Sequence, residues 1–382
     1  MRIALLGTRG VPARYGGFET AVEEIGRRLS AQGHEVTVYC RGAQRPHPKE
    51  YLGMRLVHLP AARGKAVETL SHTALSVAHL LGSKRHDAAI LFNAANAPFL
   101  PALRLRGIPV AVHVDGLEWQ RAKWGGAGQR YYRMVESLSV RWADALIADA
   151  QGISDYYAQE FAVSTELLSY GAPIQIDPGA TRIQELGLEP GGYHLVVARF
   201  EPENHVEEIL AGYHASSAVR PLVVVGSAPY ADAYTSRLHA IAERDSRIRM
   251  QGAVWDQRQL DELYANARTY LHGHSVGGTN PSLLRAMGAG TAVLAYDVVF
   301  NRGVLGQSGL FFGAAGDLPS LLASAEDPDS DIGERGRSLQ RRAETWYRWD
   351  DVSRGYEELL VRLKDGFTIR RTTGRGMRAR RA

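Results

Sequence analysis

Ile3-Ala4-Leu5-Leu6-Gly7-Thr8-Arg9-Gly10-Val11-Pro12-Ala13-Arg14-Tyr15-Gly16-Gly17-Phe18-Glu19-Thr20 opens the chain with a short β-rich run, a glycine-rich loop and the entrance to a helix. Beyond the loop, Val22, Ile25 and Leu29 recur at spacings of three and four, Gly33-His34 stops the helix, and Val36-Thr37-Val38-Tyr39-Cys40 supplies a second strand. Strand, helix and strand in that order predict a βαβ unit with a right-handed crossover.

The rhythm continues through Leu56 to Leu59, Ala88 to Phe92, Val110 to Val114 and Ala145 to Ala148, as a parallel sheet requires. After the turn-rich stretch Ser169-Tyr170-Gly171-Ala172-Pro173 it begins again, at Leu195 to Ala198, Leu222 to Gly226, Ile248 to Gly252, Tyr270 to Gly273 and Ala292 to Tyr296, with helices such as Val206 to His214 and Leu260 to Ala267 between. The expected fold is α/β, two Rossmann-like doubly wound domains at 1–172 and 173–349 that face a central cleft at the carboxyl ends of their strands. A chain of 382 residues suits two domains.

Hydrophobic residues at 45% and charged residues at 23% describe a globular chain. The formal charge of +4 is local: Arg370, Arg371, Arg375, Arg378, Arg380 and Arg381 crowd the end, and the rest of the chain is net negative. Nucleic-acid binding finds no support in the body. The stretch 365–382 is expected to be a basic, disordered tail able to touch anionic lipid headgroups. No apolar run approaches bilayer length, and the start lacks a signal peptide's layout, so the expected location is cytoplasmic, with peripheral contact at the inner face of the cell membrane. The single cysteine, Cys40, reads as a buried strand residue.

Function is expected in the loops after strands. Gly16 and Gly17, directly before a helix, leave backbone N–H groups free at the positive end of the helix dipole, a place for a phosphate; a purely structural loop is the competing account. His274-Ser275-Val276-Gly277-Gly278-Thr279-Asn280-Pro281-Ser282 forms a second such entrance, with Asn280 able to cap and Pro281 at the first helical position. An ordinary capped helix would look the same. Arg199, at the end of Leu195-Val196-Val197-Ala198, can take phosphate oxygens bidentately, or pair with Glu201 or Glu203. Asp115 and Glu118, in His113-Val114-Asp115-Gly116-Leu117-Glu118-Trp119, can accept a proton from an acceptor hydroxyl or cap the next helix. His113 reads as buried. No histidine or cysteine cluster has metal-ligand spacing, so fixed N–H groups and arginine are expected to stabilise a departing diphosphate without a metal.

These residues resemble the family 4 glycosyltransferases of GT-B fold, and within them a rhamnosyltransferase-like subgroup of bacterial surface-polysaccharide biosynthesis. The resemblance runs nearly end to end. Its most specific stretches are Gly7 through Thr20, Gly33-His34-Glu35-Val36, Asp115-Gly116-Leu117-Glu118-Trp119 with Arg121 to Trp124, Ala198-Arg199-Phe200-Glu201-Pro202-Glu203-Asn204 and Gly277 through Leu284. It implies an enzyme that moves a sugar, rhamnose or another hexose, from a nucleotide diphosphate sugar to a lipid-linked or polysaccharide acceptor, with retention and with no cofactor. The diphosphate would meet Gly16, Gly17, Arg199 and the Gly278-Thr279-Asn280 backbone, the base would pack near Gly252-Ala253-Val254, and Asp115 would lie beside the transferred sugar. A final helix, about 350–364, would cross back onto the first domain.

The sequence departs from the family pattern at named positions. A glutamate, seven residues and a second glutamate are replaced by Gly277 and Arg285, Gly303 stands in place of a glutamate, and Asn204 in place of a phosphate-binding lysine. Arg285 either brings positive charge to the donor or leaves a catalytically impaired binding subunit of a glycan assembly complex. A nucleotide-sugar epimerase is the alternative within the same fold.

Overall fold

The computed structural model describes residues 1–13, 16–42, 48–62, 64, 67–114, 116–121, 124–227 and 232–370. The chain divides into two compact units, Met1–Ser169 with Trp349–Ala382, and Tyr170–Arg348.

The first unit is built on β1 (Arg2–Leu6), β2 (Glu35–Arg41), β3 (Glu50–Tyr51), β4 (Met54–Leu59), β5 (Ala88–Phe92), β6 (Val110–His113), β7 (Ala145–Ala148) and β8 (Glu166–Leu167), in the order β3-β4-β2-β1-β5-β6-β7-β8. Neighbours pair in parallel except β3 with β4. All five residues of β5 are buried, the pattern of a strand covered on both faces. The chain leaves β1 to one side for β2 and returns on the other as β5, so a crevice opens outside the carboxyl ends of β1 and β5.

The helix Trp349–Lys364 closes this unit. Its stripe of Val352, Tyr356, Leu359, Leu360 and Leu363 is buried, each such side chain contributing roughly 1.5–3 kcal/mol by leaving water. Arg28 Nε donates to Asp350 Oδ1 at 2.7 Å, and His34 Nε2 meets Glu357 Oε1 at 2.8 Å, tying the helix to Gly17–Ala31 and the turn after it. Order runs further than the sequence reading allowed: Ile369 is buried and its N–H donates to the carbonyl of Asp144, so 365–370 is not a solvated tail. The rest of the expected tail, 371–382, lies outside the described residues.

The second unit is an all-parallel sheet of β9 (His194–Val197), β10 (Leu222–Val225), β11 (Ile248–Gly252), β12 (Thr269–His272), β13 (Ala292–Tyr296) and β14 (Leu310–Phe312), ordered β11-β10-β9-β12-β13-β14. Val196, Leu210, Leu222, Val224, Leu271 and Leu294 form its core. Here the order reverses between β9 and β12, which places the loops after those two strands on either side of the crevice. Among the described residues no helix is long and apolar enough to cross a membrane.

Candidate functional site

In the second unit the loops after β9 and β12 are bolted together. Asn204, 5% exposed, donates from Nδ2 to the carbonyl of Arg199 at 2.7 Å and accepts on Oδ1 from His274 Nδ1 at 2.7 Å. Ser275 donates through both its N–H and its hydroxyl to the carbonyl of Glu203. The loops approach so closely that a Cβ on Gly273 would stand 2.0 Å from the carbonyl oxygen of Asn204, leaving no room for any side chain. Asn204 therefore positions the loop backbone, rather than presenting its amide to solvent as a lysine would.

His205, unremarked in the sequence, adds a further tie. Because a carbonyl only accepts, its Nδ1 carries the proton that bonds Gly273 O at 2.8 Å, and its ring stacks on Tyr296 at 3.8 Å. Its φ of 46° is left-handed, a region that histidine adopts more readily than most residues with a side chain. Asn301 completes the frame, donating to the carbonyls of His274 and Tyr296.

Asn280 caps the helix Pro281–Gly288 by accepting from Ser282 N at 2.9 Å, with Pro281 in the first turn. The hydroxyl of Tyr270, within β12, meets Ser282 Oγ at 2.9 Å and donates to Val197 O at 3.1 Å, so the helix entrance is fixed to the ends of both central strands. Gly277 has a φ of 120°, open to glycine and rarely to other residues; it and Thr279 are buried, and Gly278 is partly exposed. Arg199 stands at the mouth with its side chain 49% exposed. Among the described residues its acidic partner is Glu201, at 3.5 Å, too long and too wet to hold the guanidinium fast. Gly252 is exposed at the end of β11 with nothing within 4 Å of a Cβ position.

Arg285 faces elsewhere. From the helix Pro281–Gly288 it reaches the neighbouring helix Gln257–Ala265, donating twice to Asp261 Oδ1, at 2.9 and 2.7 Å, and once each to the side chain and carbonyl of Gln257. Four of its five N–H groups are thus spent on the protein. Gly303 is exposed on the helix Val299–Leu305.

In the first unit, Gly16 precedes the helix Gly17–Ala31 with a φ of 109°. The positive helix end already has an anion of its own: Glu19 Oε1 accepts the Arg9 N–H at 3.1 Å, and a Cβ on Gly16 would stand 2.2 Å from Glu19 Oε2. An incoming phosphate at Gly16 and Gly17 meets that carboxylate first. Glu118 is 7% exposed, paired with Arg121 Nε at 2.5 Å and accepting from Trp124 Nε1 at 3.3 Å, which makes it a brace for its own loop. Asp115 lies outside the described residues. His113 is fully buried, stacked on Phe92, and burial lowers its pKa to about 3, so its ring is neutral. Burial likewise pushes the Cys40 thiol up to about 11 and keeps it inert.

Two doubly wound sheets on one chain, parallel but for the edge strand β3, the second with a glycine-lined helix entrance beyond its switch point, define the GT-B fold. Solved structures share it: sucrose-phosphate synthase from Thermosynechococcus elongatus matches with a TM-score of 0.81 at 20% identity, over 95% of this chain and 98% of that one. HepE of Anabaena, solved in complex with UDP-glucose, matches with a TM-score of 0.76 at 16% identity, over 94% and 99%. Residues 16–171 match the glycosyl transferase 4-like domain, and residues 193–326 match the glycosyl transferases group 1. The chain belongs to the glycosyltransferases. Among curated proteins it is similar to the O-antigen chain mannosyltransferase B of Escherichia coli, 30% identical over 132 residues; that match spans only 34% of either protein's length.

Proposed function

We propose that this protein transfers a hexose or deoxyhexose from a nucleotide diphosphate sugar to a lipid-linked or polysaccharide acceptor in bacterial surface-glycan assembly, with retention of configuration and without a metal. The observation that carries the reading is Arg199: a half-exposed guanidinium with only a weak partner, at the strand-end crevice it shares with the Gly277-to-Asn280 helix entrance. Guanidinium and oriented N–H groups together suit a diphosphate that carries two negative charges in the donor and gains a third as the sugar–oxygen bond breaks. The UDP-glucose complex of HepE supports a nucleotide-sugar donor, and the O-antigen mannosyltransferase supports a glycan acceptor. Asp115 and Glu118, in the loop after β6, are the carboxylates proposed to take the acceptor's proton. The rhamnosyltransferase-like subgroup makes dTDP-rhamnose a donor to test beside GDP-mannose, and the acceptor places the enzyme at the cytoplasmic membrane face.

Thermal unfolding with a panel of UDP-, dTDP- and GDP-sugars tests the donor site, because a ligand that binds only the folded state raises the midpoint with its affinity. A donor that stabilises the chain, loses its effect in Arg199→Ala and supports transfer to a glycan primer is the expected result. Stabilisation with no turnover on any primer favours the binding-subunit reading. An altered sugar without acceptor favours an epimerase, and silence across the panel overturns the donor site.

A further inference from the structure

We propose that the amino-terminal edge of the first unit's sheet, where Lys84, Arg85, Arg104, Leu105, Arg106 and Arg141 gather, seats the protein on an anionic bilayer surface. β5, β6 and β7 are consecutive neighbours, so the segments entering them converge at one edge. Arg85 Nη2 donates to Gly107 O at 2.6 Å, and Arg106 Nη2 donates to Ser83 O at 3.3 Å, crossing between the first two segments. Arg141 enters from the helix Gly126–Trp142, just before Asp144, whose N–H donates to Val110 O. All five basic residues are exposed, and Leu105 among them is 91% exposed.

The acids beside the entrances to β5 and β7 are already engaged. Asp87 accepts the N–H of Arg2 at 2.8 Å; Asp144 accepts the N–H of Val110 at 3.0 Å and pairs with Arg370. Among the described residues, Lys84, Arg104 and Arg141 have no ion-pair partner. The carboxyl ends of helices favour cations, which accounts for Arg104 and Arg141 on the last turns of their helices, but not for Lys84, Arg85 or an apolar side chain held out in water. The Arg370 pair also fixes where the C-terminal sequence leaves the unit. In sequence it is followed by Arg371, Arg375, Arg378, Arg380 and Arg381. Five exposed basic side chains around one exposed leucine are the complement of an anionic headgroup layer above an apolar phase.

The inference concerns binding and does not rest on sugar transfer. The test is co-sedimentation of the 382-residue chain with phosphatidylcholine vesicles, with and without phosphatidylglycerol, at low and physiological salt. Binding is expected only with the anionic lipid, weakened by salt. The double variant R104E/R106E, on exposed positions, is expected to bind at least about thirtyfold more weakly, taking about 1 kcal/mol per basic residue; Leu105→Asp weakens the part that survives salt. A variant with the five arginines beyond 370 changed to serine separates edge from tail, and near-UV circular dichroism confirms the fold of each. Equal binding to pure phosphatidylcholine, no binding to anionic vesicles, retention on heparin without vesicle binding, or binding that R104E/R106E leaves intact while the tail variant abolishes it would each overturn the proposal.

Discussion

Nε and Nη2 of Arg285 converge on a single oxygen of Asp261, at 2.9 and 2.7 Å, and the remaining Nη1 contact goes to Gln257. The residue that reverses the family's expected charge is thereby a clamp between the helices Gln257–Ala265 and Pro281–Gly288. Arg285→Glu puts a carboxylate against Asp261 and exchanges a partly buried attraction for a repulsion, so it should cost about 1–2 kcal/mol and lower the thermal midpoint by a few degrees. Transfer activity should fall or hold, not appear from nothing; a large gain in turnover would mean that Arg285 cripples an otherwise complete donor site.

Arg199 and Asn204 should separate cleanly. Arg199 is half exposed with its acid 3.5 Å away, so Arg199→Ala should change stability by less than about 0.5 kcal/mol. Losing charge-assisted bonds to phosphate, worth about 1.5–3 kcal/mol, should raise the donor KM by roughly 10–100-fold.

Asn204→Ala does the reverse at the level of stability. It removes the bonds to His274 Nδ1 and to the carbonyl of Arg199, which keeps the Glu201 N–H, a loss of about 1–3 kcal/mol. Donor KM should rise as well, because the loops after β9 and β12 lose a shared tie. Thermal unfolding and steady-state kinetics on the two variants distinguish a ligand contact from a positioning residue.

The sequence made the interior strands plain because a parallel sheet writes unbroken apolar runs: Ala88–Phe92 and Ala292–Tyr296 fall where the pattern puts them. The edge strands Glu50–Tyr51, Glu166–Leu167 and Leu310–Phe312 are too short to carry a period. The helix expected from Leu260 starts earlier, at Gln257, since Gln257-Arg258-Gln259 is polar and only the Asp256 cap marks it. Arg199 with Glu201 was legible because they stand two positions apart. Arg285 with Asp261, and Asn204 with His274, were not, because each pair joins loops or helices that meet only after the strands between them have ordered.

Glu136 supplies a pH dependence. It is 3% exposed, accepts from Tyr156 Oη at 3.0 Å, and burial raises its carboxyl from 4.5 to about 7. A carboxyl raised in the folded state holds its proton there after the unfolded chain has lost it, so the stability it allows is full below pH 4.5 and drains away as pH climbs to about 7. The drain amounts to about 3 kcal/mol. Glu136→Gln, which keeps the neutral shape, should match the parent chain near pH 4.5 and exceed it by a gap that widens to pH 7 and then stays constant. Thermal midpoints taken from pH 4.5 to 8.5 read this directly, and two parallel curves would refute the assignment.

A pair of glycine-to-alanine changes probes how tightly the donor loops are packed. At Gly273 a methyl group would meet the carbonyl of Asn204 at 2.0 Å, so the β12 loop must retreat from the β9 loop. Overpacking of this kind costs about 1–3 kcal/mol or more, and the displacement should raise donor KM together with the loss of stability. Gly303 sits within the helix Val299–Leu305, and its added methyl meets nothing within 4 Å. There alanine narrows the unfolded chain's freedom without a clash and should stabilise the protein by about 0.4–1 kcal/mol. Donor KM should be unchanged if no ligand passes over that face of the helix. Opposite signs in thermal unfolding are therefore expected from one and the same substitution, and a destabilised Gly303→Ala would show that the exposed face of this helix is tighter than its empty surroundings imply.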